Sequence, residues 1–303
     1  MLQNITMQAI YDFNGHPAVG MSASSNKAIL HAVFDCLVEG QLETVLQLTK
    51  ATIESTLKRA LDTESSRVEG RKVAGQDVTA ICTGDVSLIS TSPGRLPRSE
   101  IVRGVQAGLE GHLLFGFDPN GTKHHIPELL TRLLEHPKAK SLVKKISRLA
   151  LDAKQAMETN NLQALGNHMS DYRELLTIWN PNFVLPAVGE MASRLQTNLG
   201  NNLYAWKPPG GGSATSIFAI VEEVEPAVEI LTKQGWIAFP VTVSEGLRIR
   251  DRQQNRLTIT APHRLDFIGY ADLGENPAIG VEGHCLAVAV EPTSSLTIQW
   301  SPQ

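Results

Sequence analysis

Cysteine is scarce in this chain and irregularly spaced. Cys36, Cys82 and Cys285 are the three it has. An odd, scattered set fits reduced, buried thiols in a cytoplasmic protein better than a disulfide framework or a metal knuckle. A dominant charge sign is also lacking. The formal net charge is −4, so no basic field marks nucleic acid or an anionic membrane as a partner. No apolar run reaches the roughly 18 residues that a membrane span needs. The opening Met-Leu-Gln-Asn-Ile-Thr has neither the basic region nor the apolar core of a secretory signal, so none is predicted. The nine histidines show no ligand spacing, and adjacent His124 and His125 would point in different directions on a helix. Internal repeats and low-complexity tracts are absent. What is there is 303 residues, 42% apolar and 19% charged, enough for one large domain or two lobes.

Periodicity supplies a coarse map. A short strand is predicted at 5–12. A helix is predicted over 24–38, with Ile29, Leu30, Val33, Phe34 and Leu37 on one stripe, serines at its start and Gly40 beyond its end. A second helix is predicted from about 41 to 60. Residues 76–90 mix a turn with strand-like alternation, and 91–99 read as a loop. A strand at 113–117 precedes helical patterns near 126–136, 139–158, 161–177 and 184–198. Strand, helix and strand follow at 216–222, 225–234 and 236–244. The polar stretch 249–256 reads as a solvated connector. The tail returns to β character at 257–260, 264–268, 284–290 and 295–300. Strands at both ends around a helix-rich middle predict that the termini share one lobe.

Four segments carry chemistry, each with a plain structural alternative. Gly20-Met-Ser-Ala-Ser-Ser25 leads into a helix. The first-turn N–H groups and dipole there suit a phosphate, and the hydroxyls suit phosphate or Mg²⁺; Ser24 or Ser25 could equally be an N-cap. In Gly75-Gln-Asp-Val-Thr-Ala80, Asp77 could accept a proton from a substrate hydroxyl or cap a helix. Gly210, Gly211 and Gly212 permit positive φ and close approach of backbone to a ligand, or simply a tight turn. Neither the dinucleotide-binding nor the Walker pattern is present. Arg264 and Asp272 bracket a strand and a glycine-containing turn, where each could be a surface ion-pair or turn residue.

Together these segments resemble the GHMP kinase superfamily, which includes galactokinase, homoserine kinase, mevalonate kinase and phosphomevalonate kinase. The nearest branch is that of heptose-phosphate, fucose and related sugar kinases. Its early strand, Ala-Pro-x-Arg-Ile-x-Phe-x-Gly-Gly-Gly-Thr-Asp, is similar to Ala261-Pro-His-Arg-Leu-Asp-Phe-Ile-Gly-Tyr-Ala-Asp272. Its phosphate loop, Gly-Leu-Gly-Ser-Ser-Ser, is similar to Gly20–Ser25. Its aspartate signature, Gly-x-Gln-Asp-Gln-Tyr-Ala-Ala, is similar to Ala74-Gly-Gln-Asp-Val-Thr-Ala-Ile81. Its third motif, Lys-x-x-Gly-Ala-Gly-Gly-Gly-Gly, is similar to Lys207-Pro-Pro-Gly-Gly-Gly-Ser213. Leu113-Leu-Phe-Gly-Phe-Asp-Pro-Asn-Gly-Thr-Lys123 resembles the branch's strand and Thr-Gly-x-x-Arg turn. The order differs. Family members run motif one, motif two, aspartate, motif three; this chain places motif one last, as a circular permutation would, with the join near 249–256.

The resemblance implies an α+β, two-lobed, circularly permuted GHMP-kinase-like fold. One lobe combines residues 1–100 with 250–303 and binds the nucleotide. The other, 101–249, is ferredoxin-like with extra helices and closes on the substrate. It implies an ATP- and Mg²⁺-dependent transferase acting on a hydroxyl of a sugar or sugar phosphate. Asp77 would be the base, and Arg264 would stabilise the transferring phosphoryl group. Gly20, Met21, Ser22, Ala23, Ser24 and Ser25 would cradle ATP. Ser24 and Glu64 would bind Mg²⁺. Asp272, Gly210, Gly211, Gly212 and Ser213 would line the substrate. The chain departs from the pattern at Ser22, Ala23, Ser213 and Ala214, and at Val78-Thr79. A catalytically weak ligand- or protein-binding relative, or a kinase of a non-sugar alcohol, are the alternatives.

Overall fold

The computed structural model describes residues 3–10, 23–38, 58–60, 75–121, 136–212, 214–253, 256–269 and 280–301. They build two antiparallel sheets with helices on both faces of each.

The first sheet draws on both ends of the chain. Its strands are β1 (Gln3–Ile10), β2 (Val86–Thr91), β3 (Arg98–Ile101), β8 (Arg248–Gln253), β9 (Arg256–Ile268) and β10 (Gly283–Ser301). The order is β3-β2-β10-β9-β8, with β1 also on β10. Strand β10 is long enough to serve several neighbours. Its first part pairs with β2, from Gly283 opposite Thr91 to Val288 opposite Val86. Its second part pairs with β1, where Gln3 stands opposite Ser301. The other edge pairs with β9 from Leu286 to Gln299.

Two expectations are corrected here. The tail is two continuous strands rather than four short ones. The break expected near the middle of β10 is a register shift between Val290 and Thr293. Pro292 falls in it and has no N–H to give the ladder, so the irregularity absorbs it without ending the strand. The polar stretch 249–256 is not a connector, because β8 occupies most of it as the outermost strand. Arg250 and Arg252 are exposed there, and charge on an outer strand discourages pairing with another chain.

Helices α1 (Ala23–Val38) and α2 (Gly75–Thr83) cover one face of this sheet. Ile29, Leu30 and Val33 of α1 meet Val78 and Ile81 of α2 over Leu257, Ile259, Leu296 and Ile298. Ala80 turns instead toward Ile89, Cys285 and Ala287. Residues 76–90 are therefore a helix followed by β2, not a turn with strand-like alternation. A helix of nine residues is too short to show two full apolar repeats. Residues 58–60 are helical; the remainder of the helix predicted at 41–60, and all but the last residue of the one at 126–136, lie outside the described residues.

The second sheet comprises β4 (Leu113–Phe117), β5 (Leu203–Lys207), β6 (Ser216–Val221) and β7 (Ile237–Pro240), in the order β5-β6-β4-β7. Alternation sorts its side chains. Phe115, Phe117, Phe218 and Ile220 face α4 (Ala139–Glu158) and α5 (Leu162–Trp179). Leu114, Ile217, Ala219 and Val221 face α6 (Pro186–Leu199) and α7 (Val224–Lys233). The short α3 (Gln106–Leu109) precedes β4. Asn161 caps α5 by accepting from the Ala164 amide at 2.9 Å. Strands β3 and β5 went unread in the sequence.

One core joins the two sheets. It runs from Phe115 and Phe218 through α4 to Leu265, Phe267, Leu286 and Val288 of the first sheet. The segment leaving β7 is tied to the first sheet by backbone. Asp85 N–H donates to Ser244 O at 2.7 Å, and Ser244 N–H to Ala289 O at 2.8 Å. Gly84 and Gly246 both have positive φ and touch backbone to backbone. No described helix is long and apolar enough to cross a membrane.

Candidate functional site

The site grows from the end of β9. Residues two apart on a strand share a face, so Arg264 and Asp266 project the same way. Helix α2 brings Asp77 to that face in its first turn, where the helix dipole favours a carboxylate. Arg264 Nη1 donates to Asp77 Oδ1, across 187 positions of sequence. They differ in access: the Arg264 side chain is 2% exposed and Asp77 is 25% exposed. Asp77 alone of the pair can reach a molecule arriving from solvent.

Behind the pair lies a charged cluster that the sequence reading did not anticipate. Lys207, the last residue of β5, is fully buried, as is Asp266. Lys207 Nζ donates to Asp266 Oδ2 and to the Asp266 carbonyl, both at 3.0 Å. Arg264 Nη2 stands 3.6 Å from Asp266 Oδ1 and donates to Cys285 Sγ at 3.4 Å. Lys207 opens the glycine-rich turn, so this buried pair fastens motif three to motif one. The available signal was parity: Asp266 is two residues beyond Arg264, on one face of a strand.

Each charge answers to its surroundings. Burial alone would raise the Asp266 carboxyl. Lys207, Arg264 and the Gly210 amide outweigh it and hold that carboxyl below the ordinary range. Burial opposes the Arg264 charge too, but Asp77 and Asp266 hold it above its usual value. Lys207 is lowered, since burial exceeds what Asp266, shared with Arg264, returns to it. Burial pushes the thiols of Cys82 and Cys285 up to about 12, so both are protonated and poor nucleophiles at neutral pH.

A carboxyl depressed by folding contributes stability that is present above its unfolded pKa, about 3.9, and lost as pH falls through its folded value. The melting temperature is therefore expected to hold down to about pH 4 and to fall below it. Asp266→Asn is expected to melt lower at neutral pH and to lose less on acidification. Equal losses in the two proteins would contradict the assignment.

The remaining predicted residues are placed as follows. Ala23 begins α1 and Ser24 follows it; Ser25 is buried. Gly210 and Gly212 have φ of 56° and 72°, and the turn they form with Gly211 joins β5 to β6. A Cβ on Gly212 would come 2.4 Å from the Phe183 ring, so this turn requires glycine. Gly20, Met21, Ser22, Ser213, Glu64 and Asp272 lie outside the described residues, as does the side chain of Ser24. The described part of the site thus joins Asp77, Arg264 and the glycine turn through Asp266 and Lys207. Helix α1 packs beside α2.

No family profile matches the chain, and no curated protein matches it. Solved structures do. The L. major mevalonate kinase in complex with R-mevalonate superposes with a TM-score of 0.53 at 15% identity, over 72% of this chain and 62% of that one. Another mevalonate kinase gives 0.48 at 15% identity, over 63% of this chain and 57% of that one. A mevalonate-3-kinase from Thermoplasma acidophilum, mevalonate bound, gives 0.45 at 13% identity, over 65% and 57%. The chain spans about three-fifths of the length of these neighbours. The likeness to the first shows the fold alone: this is a mixed helix-and-sheet chain with a fold like that of the L. major mevalonate kinase.

Proposed function

We propose that this chain is an ATP-dependent small-molecule kinase that phosphorylates a hydroxyl of a sugar or sugar phosphate. The observation that carries the reading is the Asp77–Arg264 pair, assembled from distant segments within a mevalonate-kinase fold. A carboxylate with solvent access beside a buried guanidinium suits phosphoryl transfer, which depends mainly on positioning and charge stabilisation. Asp77 accepts the proton of the attacking hydroxyl. Arg264 opposes the negative charge on the group in transfer.

The start of α1 fits an anion, because the N–H groups of a helix's first turn have no partner within the helix. Residues Gly20–Ser25 would hold the ATP phosphates there, with Ser24 and Glu64 on Mg²⁺. ATP, when bound, supplies the γ-phosphoryl group. Gly210–Ser213 and Asp272 would close on the substrate. The nucleotide lobe comprises 1–100 with 250–303, and the closing lobe 101–249. Pairing of β1 with β10, beside the β9 strand that carries motif one, supports a circularly permuted order. A second reading, a non-sugar alcohol as acceptor, draws on the R-mevalonate bound by the first structural neighbour.

The test is ATP consumption over a panel of sugars, sugar phosphates, mevalonate and homoserine, with product identified by mass. Turnover on a sugar hydroxyl is the expected result. Turnover on mevalonate or homoserine alone favours the second reading. Saturable sugar binding without turnover on any acceptor defeats the kinase proposal and leaves a binding protein.

A further inference from the structure

Arg264 has two carboxylates of different kinds. Asp77 is partly open to solvent, whereas Asp266 is enclosed. A base that takes a proton loses its charge during the reaction. A buried guanidinium whose only counter-ion disappeared at that moment would be left uncompensated, which is costly in a desolvated site. Asp266 is built so that this does not happen. Its Oδ2 is committed to Lys207, and its Oδ1, buried with no hydrogen-bond partner, faces Arg264 Nη2 at 3.6 Å. Gly269 leaves room for it: a Cβ there would sit 2.6 Å from Asp266 Oδ2 and 3.0 Å from the Tyr172 hydroxyl.

We propose that Asp266 is the positioning residue of this site, holding the Arg264 guanidinium in place while Asp77 changes charge, and that Lys207, bonded to both the carboxylate and the carbonyl of Asp266, holds Asp266 in place. The four groups carry two positive and two negative charges. Protonation of Asp77 leaves one positive charge in excess beside the phosphoryl group as it moves. Lys207 supplies half of the positive charge without touching any substrate. Its bond to the Asp266 carbonyl also fixes the root of the glycine turn to β9, so the turn and the Arg264–Asp77 pair act as one unit.

The kinetic part of this inference rests on the kinase reading; the positioning itself does not. Asp266→Asn alone strands Lys207 in the interior and is expected to destabilise the fold. The deciding variant is Asp266→Asn with Lys207→Met, which removes both charges. It is expected to melt near the parent and to keep KM for ATP and acceptor within about twofold, while kcat falls at least ~10-fold. The Arg264 guanidinium is read separately by ¹⁵N NMR, with Arg264→Lys used for assignment. Its Nη groups are expected to exchange faster in the double variant. Lys207→Met alone is the second variant, should the double variant fold poorly. It frees Asp266 to draw the guanidinium from Asp77, so kcat is expected to drop with KM unchanged. A parent-like kcat in a well-folded variant, or unchanged Arg264 resonances, overturns the proposal. Absence of parental turnover on every acceptor defeats the kinase reading instead, and the NMR comparison still decides whether Asp266 positions Arg264.

Discussion

Asp77→Asn is expected to lower kcat for phosphoryl transfer by roughly 10²–10⁴-fold, the usual contribution of a positioned general base. The change is nearly isosteric. The amide oxygen can still accept from Arg264 Nη1, where the carboxylate does now. Arg264 keeps Asp266 as its other counter-ion. The variant should therefore fold, and KM for ATP and acceptor should stay within about threefold of the parent, because an interaction made only in the transition state is lost. What disappears is the ability to take a proton. A variant that retains kcat within tenfold of the parent would remove Asp77 from the chemistry.

The second large effect concerns stability. Gly84 follows α2 directly and has φ of 79°. A Cβ there would lie 2.2 Å from the backbone carbonyl carbon and oxygen of Glu245. Backbone cannot move aside as a flexible side-chain tip can. Gly84→Ala is expected to cost about 2–5 kcal/mol, combining roughly 1–2 for a left-handed non-glycine residue with roughly 1–3 for overpacking. Gly94→Ala separates the two contributions. Gly94 has φ of 71° with nothing within 4 Å of its Cβ position, so only the conformational part, about 1–2 kcal/mol, is expected. Urea unfolding of the two variants side by side decides the matter. Equal losses would mean that the contact between Gly84 and the Glu245–Gly246 segment adds nothing. Because that contact lies at the end of α2 opposite Asp77, loosening it is also expected to disturb the site.

Much of this was legible before any coordinates. The helix at α1, the strands at 113–117 and 216–222 and the helices at 139–158, 161–177, 184–198 and 225–234 all follow from periodicity. The failures have physical causes. Strand β8 was hidden by its arginines, which are compatible with an outermost strand and with a loop alike. Strand β5, five residues long, is too short for alternation to stand out. Pro292 made β10 look like two strands, because a register shift cannot be foreseen from one chain alone. Lys207 and Asp266 escaped notice because charged side chains are almost never fully buried unless paired. Only the fold reveals that each is the other's partner. Asp77 and Arg264 were found through the motifs around them, and either residue alone would have passed for a surface charge.

The sharing of β10 sets a schedule on the ribosome. Strand β1 is made long before the strand it pairs with, since Gln3 stands opposite Ser301. Through that interval β1 lacks the partner it has among the described residues, and an edge without its partner is open to mispairing with other nascent chains or to capture by chaperones. Its polar composition, with Gln3, Asn4, Thr6 and Gln8 among eight residues, makes it a poor nucleus for clumping while it waits. The sheet that bears the Asp77–Arg264 pair is thus completed only after β10 is made, by which time all four strands of the second sheet have left the ribosome.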